Sequence, residues 1–343
     1  MRAAVYEQFR GPISIVEVAD PTPSAGEVVV EVRAVGLCRS DYHGWHGTDP
    51  DIACPHVGGH EFVGRVVGVG AGVTRLREGD RVVAPFVCGC GSCEPCVLGQ
   101  HQVCRNQEQP GFTRWGAFAT YTTIPFADVN AVLVPSAISD EAAALVGCRV
   151  STAFRGVVER GRLAAGEVLC VHGCGGVGLA AIAFGRALGA QVVAVDISPA
   201  ALALAVHVGA DLTLDASTTH DVGGAIHELV GGAHVSVDCL GHETTAANSL
   251  LSLRAMGRHV QIGLFPSATA QLPISRVIRD ELELLGVHGL SASRFNEVFA
   301  LMAEGGVDPT RLITQRLSLA DIPAALPMMG SFAQPGVSVV TVM

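Results

Sequence analysis

Four cysteines, Cys90, Cys93, Cys96 and Cys104, follow one another at steps of three, three and eight residues. That spacing brings four thiolates within reach of one ion. Four soft sulfurs around a tetrahedral centre suit Zn²⁺ at ~2.3 Å and leave no position for a substrate, so a metal held there is structural; free thiols or an iron–sulfur cluster are the alternatives. Cys88 reads as a packed or exposed thiol outside the group. A second constellation is scattered: Cys38 in Cys38-Arg39-Ser40-Asp41-Tyr42-His43, His60 in Gly59-His60-Glu61, and Cys148 in Gly147-Cys148-Arg149. Two cysteines and one histidine leave a fourth position open, as a Lewis-acid zinc requires. Taken singly, a histidine beside glycine is more often structural and an isolated cysteine more often core.

A third pattern concerns phosphate. Residues 168–172, Val-Leu-Cys-Val-His, read as a strand running into Gly173-Cys174-Gly175-Gly176-Val177-Gly178 and then a helix. In this Gly-x-Gly-x-x-Gly pattern the glycines let the backbone and a helix N-terminus approach a pyrophosphate. The next strand closes on Asp196, where a carboxylate accepts hydrogen bonds from ribose hydroxyls and repels a 2′-phosphate, favouring NAD over NADP. A glycine-rich turn without a ligand is the alternative.

These residues need elements to hold them. The chain has 343 residues, 49% hydrophobic and 16% charged, a length and balance that point to two globular domains. Residues 1–150 show short β-like runs at 28–35, 61–69 and 81–84, punctuated by Gly and Pro. From 151 apolar strands (168–172, 191–195, 235–238, 258–262, 282–287) alternate with helical stretches (177–188, 199–208, 244–253), a βαβ rhythm that implies a parallel sheet of six strands. The last strand-like run, 337–342, returns to the first domain.

Composition removes whole classes of function. The formal charge of −10 repels nucleic acid and anionic membranes. All 22 basic residues are Arg, so a lysine Schiff base or a Walker-type lysine is excluded. The glycine-bearing apolar stretch 168–185 reads as strand, turn and helix rather than a membrane span. Residues 1–20 have neither an apolar segment nor a small-residue cleavage site, so a cytoplasmic protein is expected, and its eleven cysteines are thiols or metal ligands rather than disulfides.

Together these motifs resemble the zinc-containing medium-chain alcohol dehydrogenases, most closely the microbial tetrameric branch that includes the yeast-type enzymes. The likeness spans nearly the whole chain, and includes Gly59-His60-Glu61 followed by Gly64, Gly70 and Val73. It implies an α/β protein: a Rossmann-type doubly wound parallel sheet (151–286) inserted into a β-rich, GroES-like catalytic domain formed by 1–150 and 287–343, with the active site in the cleft between them. It implies two zinc ions per chain, NAD, an alcohol, aldehyde or ketone substrate, no nucleic-acid or membrane partner, and a homotetramer, with a homodimer as the alternative. Cys38, His60 and Cys148 would bind the catalytic zinc, with Glu61 approaching from behind and Asp41 fixing the tautomer of His60. Ser40 would take the alcohol proton and pass it through the cofactor ribose to His43. Arg39 would pair with the pyrophosphate cradled by Gly173, Gly175, Gly176, Val177 and Gly178, although a surface arginine is the alternative. Phe86, Trp45, Trp115 and Leu264 stand where the family lines its apolar slot, with Leu264 also beside the cofactor; core packing explains each equally well. Two departures stand out. No cation follows Asp196 through Ala201, and Val337 replaces a basic residue common at the start of the last strand. Both remove cationic contacts to the dinucleotide. The rivals are a polyol or amino-alcohol dehydrogenase of the same family, and a non-enzymatic dinucleotide or redox sensor.

Overall fold

β-branched residues set the strands, because they pack well on a pleated, half-buried surface. A computed structural model describes residues 1–331 and 334–342. The strands, in chain order, are β1 (Arg2–Tyr6), β2 (Ile13–Glu17), β3 (Val28–Leu37), β4 (Phe62–Val69), β5 (Arg81–Val83), β6 (Tyr121–Ile124), β7 (Val132–Leu133), β8 (Val168–His172), β9 (Gln191–Asp196), β10 (Leu212–Asp215), β11 (Ala233–Asp238), β12 (Leu253–Gln261), β13 (Glu283–Gly286), β14 (Ile313–Ser318) and β15 (Val337–Val342). The helices that matter below are α1 (Arg39–His46), α2 (Gly176–Ala187), α3 (Pro199–Val208), α4 (Val222–Val230) and α5 (Glu243–Leu251). Among the described residues no helix is long and apolar enough to cross a membrane.

The chain folds as two units, one of Met1–Ser151, Gly289–Ala303 and Ile313–Met343, the other of Thr152–His288 and Glu304–Leu312. In the first, β1 and β2 pair antiparallel, and a larger sheet runs β14-β15-β3-β4-β5-β7 with β6 also on β3. The ten-residue β3 is its centre, and Val28, Val30, Val32 and Val35 enter the core. The antiparallel register sets Val35 opposite Phe62, and Gly36 N–H donates to the Glu61 carbonyl at 2.7 Å. The residue that follows β3, Cys38, is thereby brought toward the residues that precede β4, His60 and Glu61.

The second unit is a six-stranded parallel sheet of order β10-β9-β8-β11-β12-β13. Counting its strands from one, the order is 3-2-1-4-5-6, the dinucleotide-binding arrangement, with the reversal between β8 and β11. The stretch 304–312, expected with the chain ends, falls in this unit, where Arg311 donates to the His207 carbonyl.

Among the elements with no counterpart in the sequence reading are two of this unit, β10 and α4. The sixth strand is β10, only four residues at the sheet edge and lacking an apolar run. Helix α4 carries Gly223 and Gly224, which weaken helix propensity. A Cβ at Gly223 would lie 2.7 Å from that of Leu251, so the glycine serves close packing against α5. The helix expected at 244–253 ends at Leu251, and Leu253 opens β12.

Candidate functional site

Three segments of the first unit meet at the ends of β3 and β4. Cys38 is the extended residue before α1 (φ −116°, ψ 156°), and Asp41 in the first turn accepts its N–H at 2.9 Å through Oδ2. The other oxygen of Asp41 accepts from Gly59 N–H at 2.9 Å and lies 2.9 Å from Nδ1 of His60. A carboxylate at Nδ1 places the ring proton there and leaves Nε2 with a free lone pair. That Nε2 is buried and finds no hydrogen-bond partner among the described residues. Cys148 arrives on the wide π-helical turn Val146–Val150. Gly147 lets the turn approach, since a Cβ there would sit 2.8 Å from the Ala84 carbonyl.

Ligand atoms of Cys38, His60 and Cys148 lie within 4.8 Å of one another. The hydrogen bond from Cys148 holds the Cys38 thiol well below the ordinary range, and with burial the same contact drives Cys148 well above. A divalent cation bound there would stabilise both sulfurs as thiolates. Two thiolates and an orphaned imidazole nitrogen therefore fit a zinc ion with one position left open.

Glu61 is not in that group. Its Oε1 accepts from Arg149 N–H at 2.9 Å and its Oε2 is 2.6 Å from Nη2 of the same residue, both side chains being buried. Arg149 and Phe112 are the neighbours that sequence reasoning missed. The Phe112 ring lies 4.8 Å from that of His60, and Phe86 meets His60 edge-on at 6.2 Å. Trp45 and Trp115 commit their indole N–H groups to the carbonyls of Gly11 and Pro55, at 2.9 and 3.0 Å. On α1, Ser40 Oγ is 3.9 Å from Cys38 Sγ. Burial, and next the charge of Arg39, lower the pKa of His43 below that of ordinary histidine. Arg39 itself donates to the Met329 carbonyl at 2.7 Å.

The four cysteines of the lobe converge as well, their sulfurs within 4.8 Å of one another. Cys93 and Cys104 are 3.6 Å apart, and the N–H groups of Cys90 and Asn106 donate to Cys104 Sγ at 3.3 Å. Backbone donors aimed at sulfur favour thiolates and suit a four-sulfur zinc. Cys88 stays outside, buried and donating to the Pro85 carbonyl at 3.5 Å.

In the second unit β8 runs into Gly173 at φ +92°, and Gly175 caps α2. A Cβ at Gly178 would fall 1.9 Å from the Gly173 carbonyl oxygen, whereas Gly175 faces open space. The loop therefore tolerates no side chain at Gly178 and presents bare backbone, with Gly176 and Val177 opening the helix. Asp196 ends the neighbouring β9, accepting from Cys174 N–H at 2.7 Å and Ser198 N–H at 2.9 Å. Ala201, where a cation is missing, is a buried residue of α3, and Leu264 is 65% exposed. Val337 is corrected: its side chain is 2% exposed in the first unit, so a basic residue there would be buried and not offered to a cofactor.

Residues 24–136 match the alcohol dehydrogenase GroES-like domain and residues 176–304 the zinc-binding dehydrogenase domain. An alcohol dehydrogenase of Geobacillus stearothermophilus is 35% identical over 309 residues, 90% of each chain. The chain belongs to the zinc-containing medium-chain alcohol dehydrogenases. The solved alcohol dehydrogenase TADH from Thermus sp. ATN1 superposes with a TM-score of 0.92 at 30% identity, covering 100% of both chains. An L-threonine 3-dehydrogenase of Streptomyces coelicolor (strain ATCC BAA-471 / A3(2) / M145) is 32% identical over 333 residues, 95% of each chain. As a member of this family the protein is an oxidoreductase of alcohols that uses zinc and a dinucleotide, and the non-enzymatic alternative falls away.

Proposed function

We propose that this oxidoreductase transfers hydride between a small alcohol and NAD, with Cys38, His60 and Cys148 holding a catalytic zinc and Cys90, Cys93, Cys96 and Cys104 a structural one. The observation that carries the reading is the buried Nε2 of His60, without a hydrogen-bond partner among the described residues, fixed from behind by Asp41 and converging with the sulfurs of Cys38 and Cys148. Bound there, zinc supplies a Lewis acid for the substrate oxygen and NAD a hydride acceptor. The protein's own groups do the rest. Ser40 accepts the alcohol proton, and His43, kept neutral by burial, receives it for delivery to solvent. Phe86 gives the substrate slot its apolar wall beside His60. Gly173, Gly175, Gly176, Val177 and Gly178 cradle the pyrophosphate, Arg39 pairs with it, Leu264 lies against the cofactor, and Asp196 selects NAD through the ribose. The assembly is a homotetramer, as the resemblance implies.

Metal analysis with two variants tests this reading. The purified protein should hold two zinc ions per chain. Cys148→Ser should abolish turnover while the lobe keeps its ion, and Cys93→Ser should weaken folding or assembly, because a structural zinc adds its binding energy to the folded state. A fully active protein with one zinc per chain would sink the assignment. The second reading, a polyol or amino-alcohol substrate, is favoured by the likeness to L-threonine 3-dehydrogenase. A panel of primary, secondary, cyclic, benzylic, polyol and amino alcohols, compared by kcat/KM, separates the two.

A further inference from the structure

The second unit contains a buried polar chain that the chemistry above does not use. Ser236 on β11 and Ser249 on α5 are 2.7 Å apart, and Ser249 Oγ lies 2.9 Å from Nδ1 of His259 on β12. Nε2 of His259 is 3.1 Å from Oε1 of Gln261, whose Nε2 donates to Asp238 Oδ2 at 2.9 Å and to the Gly263 carbonyl at 2.7 Å. Ser236, Ser249, His259 and Asp238 are each 0% exposed. The roles are fixed from one end. Asp238 Oδ1 accepts from Leu240 and Gly241 N–H at 2.8 and 3.2 Å, and Oδ2 accepts from Gly241 N–H at 3.3 Å, so both oxygens serve as acceptors. Gln261 must therefore turn its amide nitrogen toward Asp238 and its oxygen toward His259. His259 must then carry its proton on Nε2 and accept at Nδ1 from Ser249, which in turn accepts from Ser236. Every donor points the same way, toward one buried carboxylate.

That carboxylate stands where β11 ends, with the end of β12 beside it. The Asp238 carbonyl accepts from Ile262 and Gly263 N–H at 3.0 and 2.9 Å, while its side chain pins Leu240 and Gly241. The two loops touch so closely that a Cβ at Gly241 would lie 2.2 Å from the Leu264 carbonyl oxygen, and one at Gly263 2.1 Å from Gly241 N. They flank the side of the β8–β11 reversal opposite the glycine loop, and a Cβ on Gly173 would reach within 3.5 Å of Leu240. Ligands of this sheet order bind outside the carboxyl ends of the strands at that reversal.

We propose that Asp238 and Gln261 are positioning residues for the dinucleotide: the one-way hydrogen-bond chain from Ser236 to Asp238 locks loops 239–241 and 262–264 into one preformed wall of the cofactor crevice. The proposal rests on the dinucleotide reading above and adds to it two side chains that need not touch the cofactor. A preset wall lowers the ordering cost of binding, so its loss appears in cofactor affinity rather than in zinc content or alcohol KM. A neutral His259 is part of the device, and burial, its largest influence, lowers its pKa.

The zinc-loaded, full-length enzyme is the material for the test, read by NADH fluorescence titration and by ¹⁵N NMR of labelled histidine. In the parent, His259 should stay neutral with its proton on Nε2 between about pH 6 and 8; an Nδ1–H tautomer, or protonation in that range, overturns the chain. Gln261→Leu removes the tie and should raise the NADH Kd about fivefold or more, the worth of one or two hydrogen bonds, at unchanged zinc content and alcohol KM. A folded variant within twofold of the parent overturns the positioning role. Asp238→Asn keeps the shape and the acceptor for Leu240 and Gly241 but presents an NH₂ to Gln261. The amide of Gln261 must then flip, His259 must move its proton to Nδ1, and the Gly263 carbonyl loses its donor. An unchanged tautomer or an unchanged Kd in that variant overturns the proposal even where Gln261→Leu fails to fold. A parent that binds no NADH defeats the dinucleotide reading instead, while the His259 tautomer still reports whether the chain exists.

Discussion

Asp41 ties Cys38, Gly59 and His60 together through a single buried carboxylate, which fixes the direction in which Nε2 of His60 points. The triad itself was legible in the sequence because Cys38 and Asp41, or Gly59 and His60, are close neighbours in recognisable local patterns. Arg149 on Glu61 was not, because that pair is 88 residues apart and forms only when the β3–β4 register delivers Glu61 to the Cys148 turn. The same holds for Phe112 stacked near His60. His43 allows a prediction at this scale. Its lowered pKa keeps the ring neutral at pH 7, so as a proton acceptor it fails only as the pH falls through a value below that of ordinary histidine. Alcohol oxidation should therefore show an acid limb there, and His43→Gln should lose that limb and slow turnover by about 10²-fold, with NAD affinity nearly unchanged. An unaltered pH–rate profile removes His43 from the relay. For Asp196, the ratio of kcat/KM for NAD to that for NADP should fall about ten- to a hundredfold in Asp196→Ala, the worth of a hydrogen bond to a charged group. Because Asp196 also holds the N–H groups of Cys174 and Ser198, Asp196→Asn is the control that retains an acceptor. A parent that already prefers NADP refutes the role given to Asp196.

Elements succeed or fail to announce themselves according to how much of their burial is local. Strand β8, Val-Leu-Cys-Val-His, is buried along its whole length and reads as a strand without help. Strand β10, half-exposed at an edge, gains its structure from pairing with β9, and α4 tolerates Gly223 because α5 packs closely against it. Both needed tertiary context that no window of sequence holds. β15 teaches the opposite lesson. It was found at the right residues, yet the role attached to its first residue does not survive, because Val337 faces the interior. Val337→Arg is thus expected to bury an unpaired guanidinium and destabilise the protein by about 3–5 kcal/mol, rather than tighten NADH. Thermal unfolding and NADH titration of the variant decide: a folded protein of parental Tm with tighter NADH would return that strand to the cofactor.

At the scale of the whole molecule, acid stability should be set in part by a histidine remote from any zinc ligand. His172 ends β8 with Nε2 near Cys170 Sγ and Ser252 Oγ, both at 3.3 Å, and its Nδ1 is buried with no partner among the described residues. Burial, then the neighbouring His259, push its pKa down to about 3. A histidine depressed in the folded state stabilises the fold above its unfolded pKa of about 6.5, and that contribution is lost as the pH falls toward the folded value. The slope is ~1.4 kcal/mol per pH unit for one proton, so between pH 7.5 and pH 5 the second unit should lose about 2 kcal/mol to this residue alone. His172→Asn keeps a polar partner for Cys170 and Ser252 but cannot titrate, and should flatten the decline by that amount. Both tryptophans, Trp45 and Trp115, lie in the first unit, so their fluorescence reports the wrong part of the molecule. Hydrogen exchange of the β8 and β11 amides, compared between parent and variant at the two pH values, is the appropriate measurement. Zinc release in acid affects both proteins alike and cancels in the comparison. Parallel declines would mean that His172 is already protonated, or already solvated, in the native sheet, and the acid sensitivity would then belong to other groups.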